Sequence, residues 1–132
     1  MSGEPLVTMV GNVAGGPHLK KVRNGWSVCN FTIAANPRRF DATSKEWKDD
    51  DPLFLRVNCW HQMAKNVAAS LVKGDPVVVY GRFLVRQYEV EGQRRTSNEI
   101  EAISVGPNLQ FGQCRFSKEP AGPPEQEVVR AA

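Results

Sequence analysis

An eight-residue stretch of strict alternation, from Leu53 to Trp60, constrains the fold of this chain more than any other feature. At the two-residue period of a β-strand, its odd-numbered positions are all apolar and suit a protein core. Its even-numbered positions combine two large rings with a cation and an amide: Phe54, Arg56, Asn58 and Trp60. A strand that only had to fold would not normally place two rings on its polar face. The stretch therefore predicts a sheet with an outer surface suited to a flat, negatively charged ligand.

Similar runs on both sides of this stretch define an order of elements. We predict strands over 6–13, 26–35, 53–60, 77–88 and 96–105, and a further late strand over 108–116. In the second strand, Asn30 lies on the more polar face with Trp26. In the fourth, the core side is made by Val77, Val79, Phe83 and Val85. The turn signals Gly15-Gly16-Pro17 and Asn24-Gly25 separate the first two strands, and a basic segment with His18, Lys20, Lys21 and Arg23 lies between them. Apolar residues at helical spacing between His61 and Lys73 predict one helix, which ends at Gly74.

This order matches one all-β architecture. Five short strands with one helix between the third and the fourth are typical of the oligonucleotide-binding (OB) barrel, in which the middle strands present the binding face. We therefore predict an all-β fold with one helix: a five-stranded OB-fold barrel plus an extra C-terminal strand. Residues 1–116 would form this single domain, and residues 117–132, where Pro, Glu and Ala are frequent, a disordered tail.

Residues 36–52 are predicted to form a long, highly charged loop, because they show no apolar periodicity. Its three consecutive aspartates, 49–51, suit a solvated turn better than a metal site, since no other ligand cluster accompanies them. Phe40 and Trp47 are unusual in such a loop. Large rings there either pin the loop to the domain or contact a ligand.

Composition narrows the setting of the protein. No apolar run approaches the roughly 18 residues of a membrane span, and no signal peptide is visible, so a cytoplasmic location follows by default. A formal charge of +3 favours an acidic partner only weakly. Cys29, Cys59 and Cys114 lie far apart and suit free thiols in a reducing cytosol, although the odd count leaves a bridge between subunits open.

No catalytic, metal or cofactor site is predicted. His18 and His61 are the only histidines, and neither belongs to a set of nucleophile, base and acid. Cys59 and His61 lie two residues apart, but core packing and the start of the helix explain them. The chain is thus predicted to be a binding protein that needs no cofactor, and not an enzyme.

Rings and cations on polar faces predict a surface for single-stranded nucleic acid. Aromatic side chains stack on bases of any sequence, and Lys and Arg neutralise phosphates. The stacking candidates are Phe40, Phe54, Trp60 and Tyr88, with Trp26 and Trp47 as additional ones. The phosphate candidates are Arg38, Arg39, Lys48, Arg56, Arg82, Arg86 and Arg94. Any single ring could instead pack in a core or a subunit interface, but four on polar faces or beside arginines favour stacking.

From Leu6 to about Phe116, the chain resembles the bacterial single-stranded-DNA-binding proteins. The motifs in common are Val10-Gly11-Asn12, Asn30-Phe31-Thr32-Ile33-Ala34, Phe54-Leu55-Arg56-Val57, Ala64-Lys65-Asn66-Val67, Leu71-Val72-Lys73-Gly74 and Val77-Val78-Val79-Tyr80-Gly81-Arg82. The family's stacking aromatics occupy positions that match Phe40, Phe54, Trp60 and Tyr88. The resemblance implies sequence-independent binding and protection of single-stranded DNA in replication, recombination, repair or a specialised process such as DNA uptake or chromosome segregation.

The resemblance also implies an assembly. Family members form homotetramers, as dimers of dimers, around which single-stranded DNA wraps in the cytoplasm and nucleoid. Residues 105–109 and the late strand after them resemble the branch from high-GC Gram-positive bacteria, where that strand clamps one subunit to another. Cys114 lies in it and is the first choice for an intersubunit disulfide. The sequence ends Arg130-Ala131-Ala132, without the family's acidic tip, so docking of replication enzymes by such a tip is not expected.

Two other classes stay open at this stage. One is an OB-fold protein that binds RNA or acts as an accessory factor in replication restart. The other is a purely structural oligomer in which the rings pack between subunits.

Overall fold

The computed structural model describes residues 3–118, which form seven strands and one helix. The elements are β1 (Leu6–Lys21), β2 (Ser27–Ala35), β3 (Arg38–Asp41), β4 (Glu46–Asp49), β5 (Leu53–Trp60), α1 (His61–Ser70), β6 (Pro76–Val90) and β7 (Gln93–Pro107). The predicted disordered tail and the predicted lack of an acidic tip concern residues that, from 119 onwards, lie outside the described part of the chain.

Five of the strands close into a barrel in the order β1-β2-β5-β7-β6. Neighbouring strands are antiparallel except β5 and β7, which run parallel. The helix lies between the third and the fourth barrel strands along the chain. The prediction of an OB-fold barrel with one helix is therefore confirmed.

The core is built from the inward faces of the strands, and one face of α1 covers it. Phe31, Ile33 and Val57 are at most 2% exposed, and Ala64 and Val67 of the helix join the same cluster. The alternation in β5 predicted this correctly for Leu55, Val57 and Cys59, which are all buried. Leu53 was also predicted to face the core, but it is 49% exposed, at the start of the strand.

Strand β1 serves two neighbours and so closes the barrel. Its first half pairs with β6 and its second half with β2. The prediction that Gly15-Gly16-Pro17 ends the first strand was wrong: the strand continues to Lys21, with register shifts between Val13 and His18. Such bulges bend a strand and increase its twist, as barrel closure requires. The turn predicted at Asn24-Gly25 is present, and Gly25 has a φ of 85° there.

Residues 36–52 are not the predicted long loop. Most of this segment is an antiparallel hairpin of β3 and β4, which forms a separate two-stranded sheet. Phe40 lies directly opposite Trp47 in this hairpin. The two rings therefore stiffen a segment that was expected to lack regular structure.

The hairpin of β6 and β7 extends further than predicted, with paired residues up to Val90 and Gln93. Val85 was predicted to face the core, yet it is 53% exposed. Other barrel strands do not cover this distal part of β6, which explains the exposure of Val85.

The segment after β7 begins with a turn at Asn108 and forms no strand within the described residues of this single chain. The late strand predicted over 108–116 is one that would pair with a second subunit, so it stays a prediction for an assembly. Cys114 is exposed in this segment, and it is a free thiol in the isolated chain. No helix in the described part of the chain is long and apolar enough to cross a membrane.

Candidate nucleic-acid interface

Several of the predicted site residues lie together in one open groove. It has a volume of about 450 Å³ and lies on the outer face of the barrel strands. Four predicted site residues line it together: Arg56, Trp60, Arg86 and Tyr88. Its other lining residues are Lys20, Val22, Val28, Asn30, Asn58, Ser97 and Glu99. The groove thus combines two rings and three cations, in a shape open to an extended chain.

Asn58 is the hydrogen-bonding centre of the groove floor, where it is 5% exposed. Its Oδ1 accepts hydrogen bonds from Asn30 Nδ2 at 2.7 Å and from Arg56 Nε at 3.3 Å. Its Nδ2 donates to Glu99 Oε1 and to Glu101 Oε2, both at 2.8 Å. This buried amide therefore has a partner for each of its donors and acceptors, on β2, on β7 and on its own strand β5.

Glu99 is the second buried polar residue of the floor. Arg86 Nε donates to Glu99 Oε1 at 3.2 Å, and the Glu99 side chain is only 5% exposed. Burial alone would raise the pKa of Glu99, but hydrogen bonds from Asn58, Ser97 and Arg86 outweigh it and lower the pKa below its usual value. Glu99 is therefore a carboxylate at neutral pH.

Trp60 is half-buried and held at its edge. Its Nε1 donates to Glu101 Oε1 at 3.1 Å. The Trp26 ring meets it in an edge-to-face arrangement with centroids 6.4 Å apart, and Trp26 also packs on His61 at 4.8 Å. Trp26, predicted as an additional stacking residue, thus supports Trp60 from the side. An aromatic ring fixed in this way needs little ordering before it stacks on a base.

The β3–β4 hairpin carries a second aromatic pair. Phe40 and Trp47 are 51% and 61% exposed, and their rings meet edge to face with centroids 5.6 Å apart. Every residue of the two hairpin strands except Asp41 is exposed. The rings are therefore held against each other and not buried in the barrel, which leaves them accessible to a ligand.

The predicted phosphate contacts on this hairpin are all ion-paired in the isolated chain. The pairs are Arg38–Asp49 at 3.3 Å, Arg39–Asp50 at 3.4 Å and Lys48–Asp41 at 3.0 Å. The hydrogen bond from Lys48, with one from the backbone of Thr43, holds the pKa of Asp41 below its usual value. Residues 36–52 contain four Lys and Arg against five Asp and Glu, a formal charge of −1. Phosphates would have to displace these carboxylates, at small cost for exposed pairs.

Three further predicted residues lie outside both the main groove and the β3–β4 hairpin. Phe54 is 54% exposed at the opposite end of β5 from Trp60, about 20 Å away at the rise of a strand. Arg82 lines a neighbouring hollow of about 260 Å³ together with Trp60 and Glu101. Arg94 is exposed near the tip of the β6–β7 hairpin. The predicted residues therefore follow a long path and do not form one compact pocket.

Sequence reasoning missed the polar floor of the groove as part of the site. Asn30 and Asn58 had been placed on polar faces without a role, and Glu99 had not been singled out. Alternation in β7 was an available signal, because Ser97, Glu99 and Glu101 share one face of that strand. Lys20 was visible as part of a basic segment, but its position in the groove depends on the continuation of β1 beyond Pro17.

Two of the three cysteines lie in the hydrophobic core. Cys29 and Cys59 are fully buried and lie opposite each other in β2 and β5. Burial, with smaller effects of Cys29 and Glu101, raises the pKa of Cys59 to about 12. Its thiol is thus protonated and unreactive at neutral pH. No group of three or more His, Cys, Asp or Glu residues suited to a metal ion occurs among residues 3–118.

The model of one protein family matches residues 6–108, and its description reads single-strand binding protein family. A single-stranded DNA-binding protein from Paenarthrobacter aurescens is 44% identical over 119 residues, which are 89% of this chain and 70% of that protein. One from Mycolicibacterium smegmatis is also 44% identical over 119 residues, 89% of this chain and 72% of that protein.

A solved structure shows the same similarity in three dimensions. The small single-stranded DNA-binding protein from Streptomyces coelicolor is 39% identical, with a TM-score of 0.74 over 83% of this chain and 99% of that chain. Together with the relatives above, it confirms the predicted resemblance to the branch from high-GC Gram-positive bacteria.

Proposed function

The chain belongs to the single-strand binding protein family, and from this premise we propose that it binds and protects single-stranded DNA without sequence preference. The observation that carries the proposal is the groove in which Arg56, Trp60, Arg86 and Tyr88 lie together on the outer face of the barrel. Rings and cations on one open surface are what a chain of bases and phosphates requires. The names of its relatives support DNA as the ligand.

In this proposal, the rings bind bases. Trp60 and Tyr88 stack on bases in the groove, and Phe54 and Phe40 continue the path towards the β3–β4 hairpin. Each stacked base contributes roughly 1–3 kcal/mol, independent of sequence, because every base has a π-face. Trp47 supports Phe40, as Trp26 supports Trp60.

The cations bind the phosphates between these rings. Arg56, Arg86 and the newly identified Lys20 line the groove itself. Arg82 and Arg94 extend the basic path on the β6–β7 side, and Arg38, Arg39 and Lys48 exchange their aspartate partners for phosphates on the hairpin.

Removal of one groove cation should change the salt dependence of binding. In the Arg56→Ala or Arg86→Ala variant, the slope of log K against log salt should become less steep by about 0.7 per lost phosphate contact, because fewer counterions are released. Titration with a dT oligomer at several NaCl concentrations measures this slope. Lys73→Ala is a matched control: it removes an exposed charge next to Gly74, whose backbone N–H donates to the carbonyl of Val13 in the middle of β1, and Lys73 does not line the groove. An unchanged slope in both groove variants would remove these arginines from the phosphate path.

Competition between poly(dT) and an RNA of equal length tests the choice of ligand. We expect poly(dT) to displace the RNA. A preference for RNA would contradict the proposal and favour an OB-fold protein that binds RNA or serves replication restart. If neither ligand bound, the rings would instead be packing residues of a structural oligomer.

We also propose that the protein acts as a homotetramer, a dimer of dimers, in the cytoplasm and on the nucleoid. Exposed apolar residues on the barrel, Leu6, Val10 and Tyr80, are 38–56% exposed and support contacts between copies. Replication, recombination, repair, DNA uptake or chromosome segregation would be the processes served. Light scattering should give the mass of four chains. Electrophoresis without reductant would show whether Cys114 links two of them.

A further inference from the structure

The proposed DNA groove has a buried carboxylate in its floor, which simple electrostatics would disfavour. Glu99 lines the groove and is 4% exposed. A negative charge close to a phosphate backbone repels it, and this repulsion is weakly screened in a buried position. If Glu99 served DNA binding only through its charge, it would weaken binding.

The contacts of Glu99 indicate another role. One oxygen, Oε1, accepts hydrogen bonds from Arg86 Nε at 3.2 Å and from Asn58 Nδ2 at 2.8 Å. Asn58 Oδ1 in turn accepts a hydrogen bond from Arg56 Nε at 3.3 Å. Two arginines from different strands are thus connected to a single buried anchor.

Each of the two arginines donates its hydrogen bond through its own Nε. A hydrogen bond at Nε leaves the two Nη atoms, which form the fork that binds a phosphate. Among residues 3–118, no further hydrogen bond or ion pair holds Arg56 or Arg86. Each side chain is therefore restrained at Nε, while its two Nη atoms stay available to bind a phosphate.

We propose that Glu99 is a positioning residue for DNA binding, which orders Arg86 directly and Arg56 through Asn58. This inference rests on the proposed function of the groove. An arginine that is ordered beforehand loses less conformational freedom when it binds a phosphate, so its restraint increases affinity. The gain offsets the repulsion between the carboxylate and the DNA.

Glu99→Gln tests the proposal, because positioning and charge predict opposite signs. The amide keeps the size of the side chain and an acceptor for Asn58, but it weakens the hold on Arg86. We expect roughly 2- to 10-fold weaker binding of a dT oligomer, the range that corresponds to the ordering of one side chain on binding. Glu91→Gln removes the same charge at an exposed turn and should leave affinity unchanged or slightly higher.

A second background separates positioning from a general structural effect. In a chain that carries Arg56→Ala and Arg86→Ala, the change Glu99→Gln should no longer weaken binding, since both residues that it positions are gone. An equal loss in both backgrounds would mean that Glu99 only maintains the fold, and it would overturn the proposal. Tighter binding of Glu99→Gln in the wild-type background would also overturn it.

If the Glu99→Gln variant does not fold, the Arg86→Lys variant provides a second test of the same proposal. The Arg86 side chain is 58% exposed, so we expect the fold to tolerate a substitution there. Lysine keeps the charge but has one ammonium group, which cannot hold Glu99 at one nitrogen and present a fork at others. We expect its affinity to fall most of the way to that of Arg86→Ala, and wild-type affinity would overturn the proposal. Failure of the unmodified chain to bind dT would instead overturn the proposed function.

Discussion

Replacement of Phe54 or Trp60 by alanine should weaken binding of a dT oligomer by roughly 1–3 kcal/mol each. Each change removes one ring from the path along β5, and with it the stacking of a base. The slope of log K against log salt should change little, because neither residue contacts a phosphate. This combination of a lower affinity and a constant slope distinguishes a stacking residue from an arginine.

The ring-retaining variants Phe54→Tyr and Trp60→Phe serve as controls. Both keep a π-face, so we expect affinities much closer to that of the unmodified protein. Trp60 also donates to Glu101 and packs against Trp26, so its alanine variant must be shown to fold. Phe54 has no such complication, since it is 54% exposed. Wild-type binding by Phe54→Ala and Trp60→Ala would place the DNA on another surface.

Replacement of Gly81 by alanine should destabilise the protein by about 3 kcal/mol or more. A Cβ at this position would collide with the backbone oxygen of Glu101 and would lie 2.8 Å from Ile100 Cγ2 and 2.9 Å from the Ala102 Cα. The barrel sheet cannot move away from these atoms without a change in the β6–β7 pairing, which already has a register shift next to Gly81. Urea unfolding at one fixed protein concentration measures the loss, because the proposed tetramer would make stability depend on concentration.

Gly106→Ala is the matched control, in the same pair of strands. Gly106 lies opposite Val78, and a Cβ there would meet no atom within 4 Å. We expect a change within about 0.5 kcal/mol, or slight stabilisation from the less flexible unfolded chain. Equal effects at Gly81 and Gly106 would mean that the close approach of β6 and β7 is not what requires glycine.

The sequence predicted the barrel well where a strand has one buried face. In β5, a core on one side and a functional surface on the other impose a two-residue period, so Leu55 and Phe54 could be assigned to opposite faces. Leu53 and Val85 were assigned wrongly because the same period continues to positions where each strand has a neighbour on one side only: Leu53 pairs with β2 but not with β7, and Val85 pairs with β7 but not with β1. Local alternation does not show where a core ends.

The β3–β4 hairpin was missed for a related reason. Both of its faces meet solvent, so no apolar period marks it, and its charges suggested a loop. The cross-strand pair of Phe40 and Trp47 is the only signal, and it becomes one only when the register is known.

The polar floor could not be derived from local pattern at all. Asn58 and Glu99 are separated by 41 residues and meet because β5 and β7 pair in parallel. A contact of this kind follows from the closed topology of the barrel, not from any window of sequence. By contrast, the exposure of Phe54 and Tyr88 was predicted correctly, because the alternation within a single strand decides which face each ring is on.

Photo-crosslinking of an iodouracil-substituted oligonucleotide, followed by identification of the modified peptides, tests the central proposal most directly. Crosslinks form where a base lies against an aromatic ring. We expect them at Trp60 and Tyr88 in the groove and at Phe54 and Phe40 along the path. Crosslinks confined to Tyr80 or to the segment after Pro107 would contradict the proposal, because the DNA would then run over a different face of the barrel.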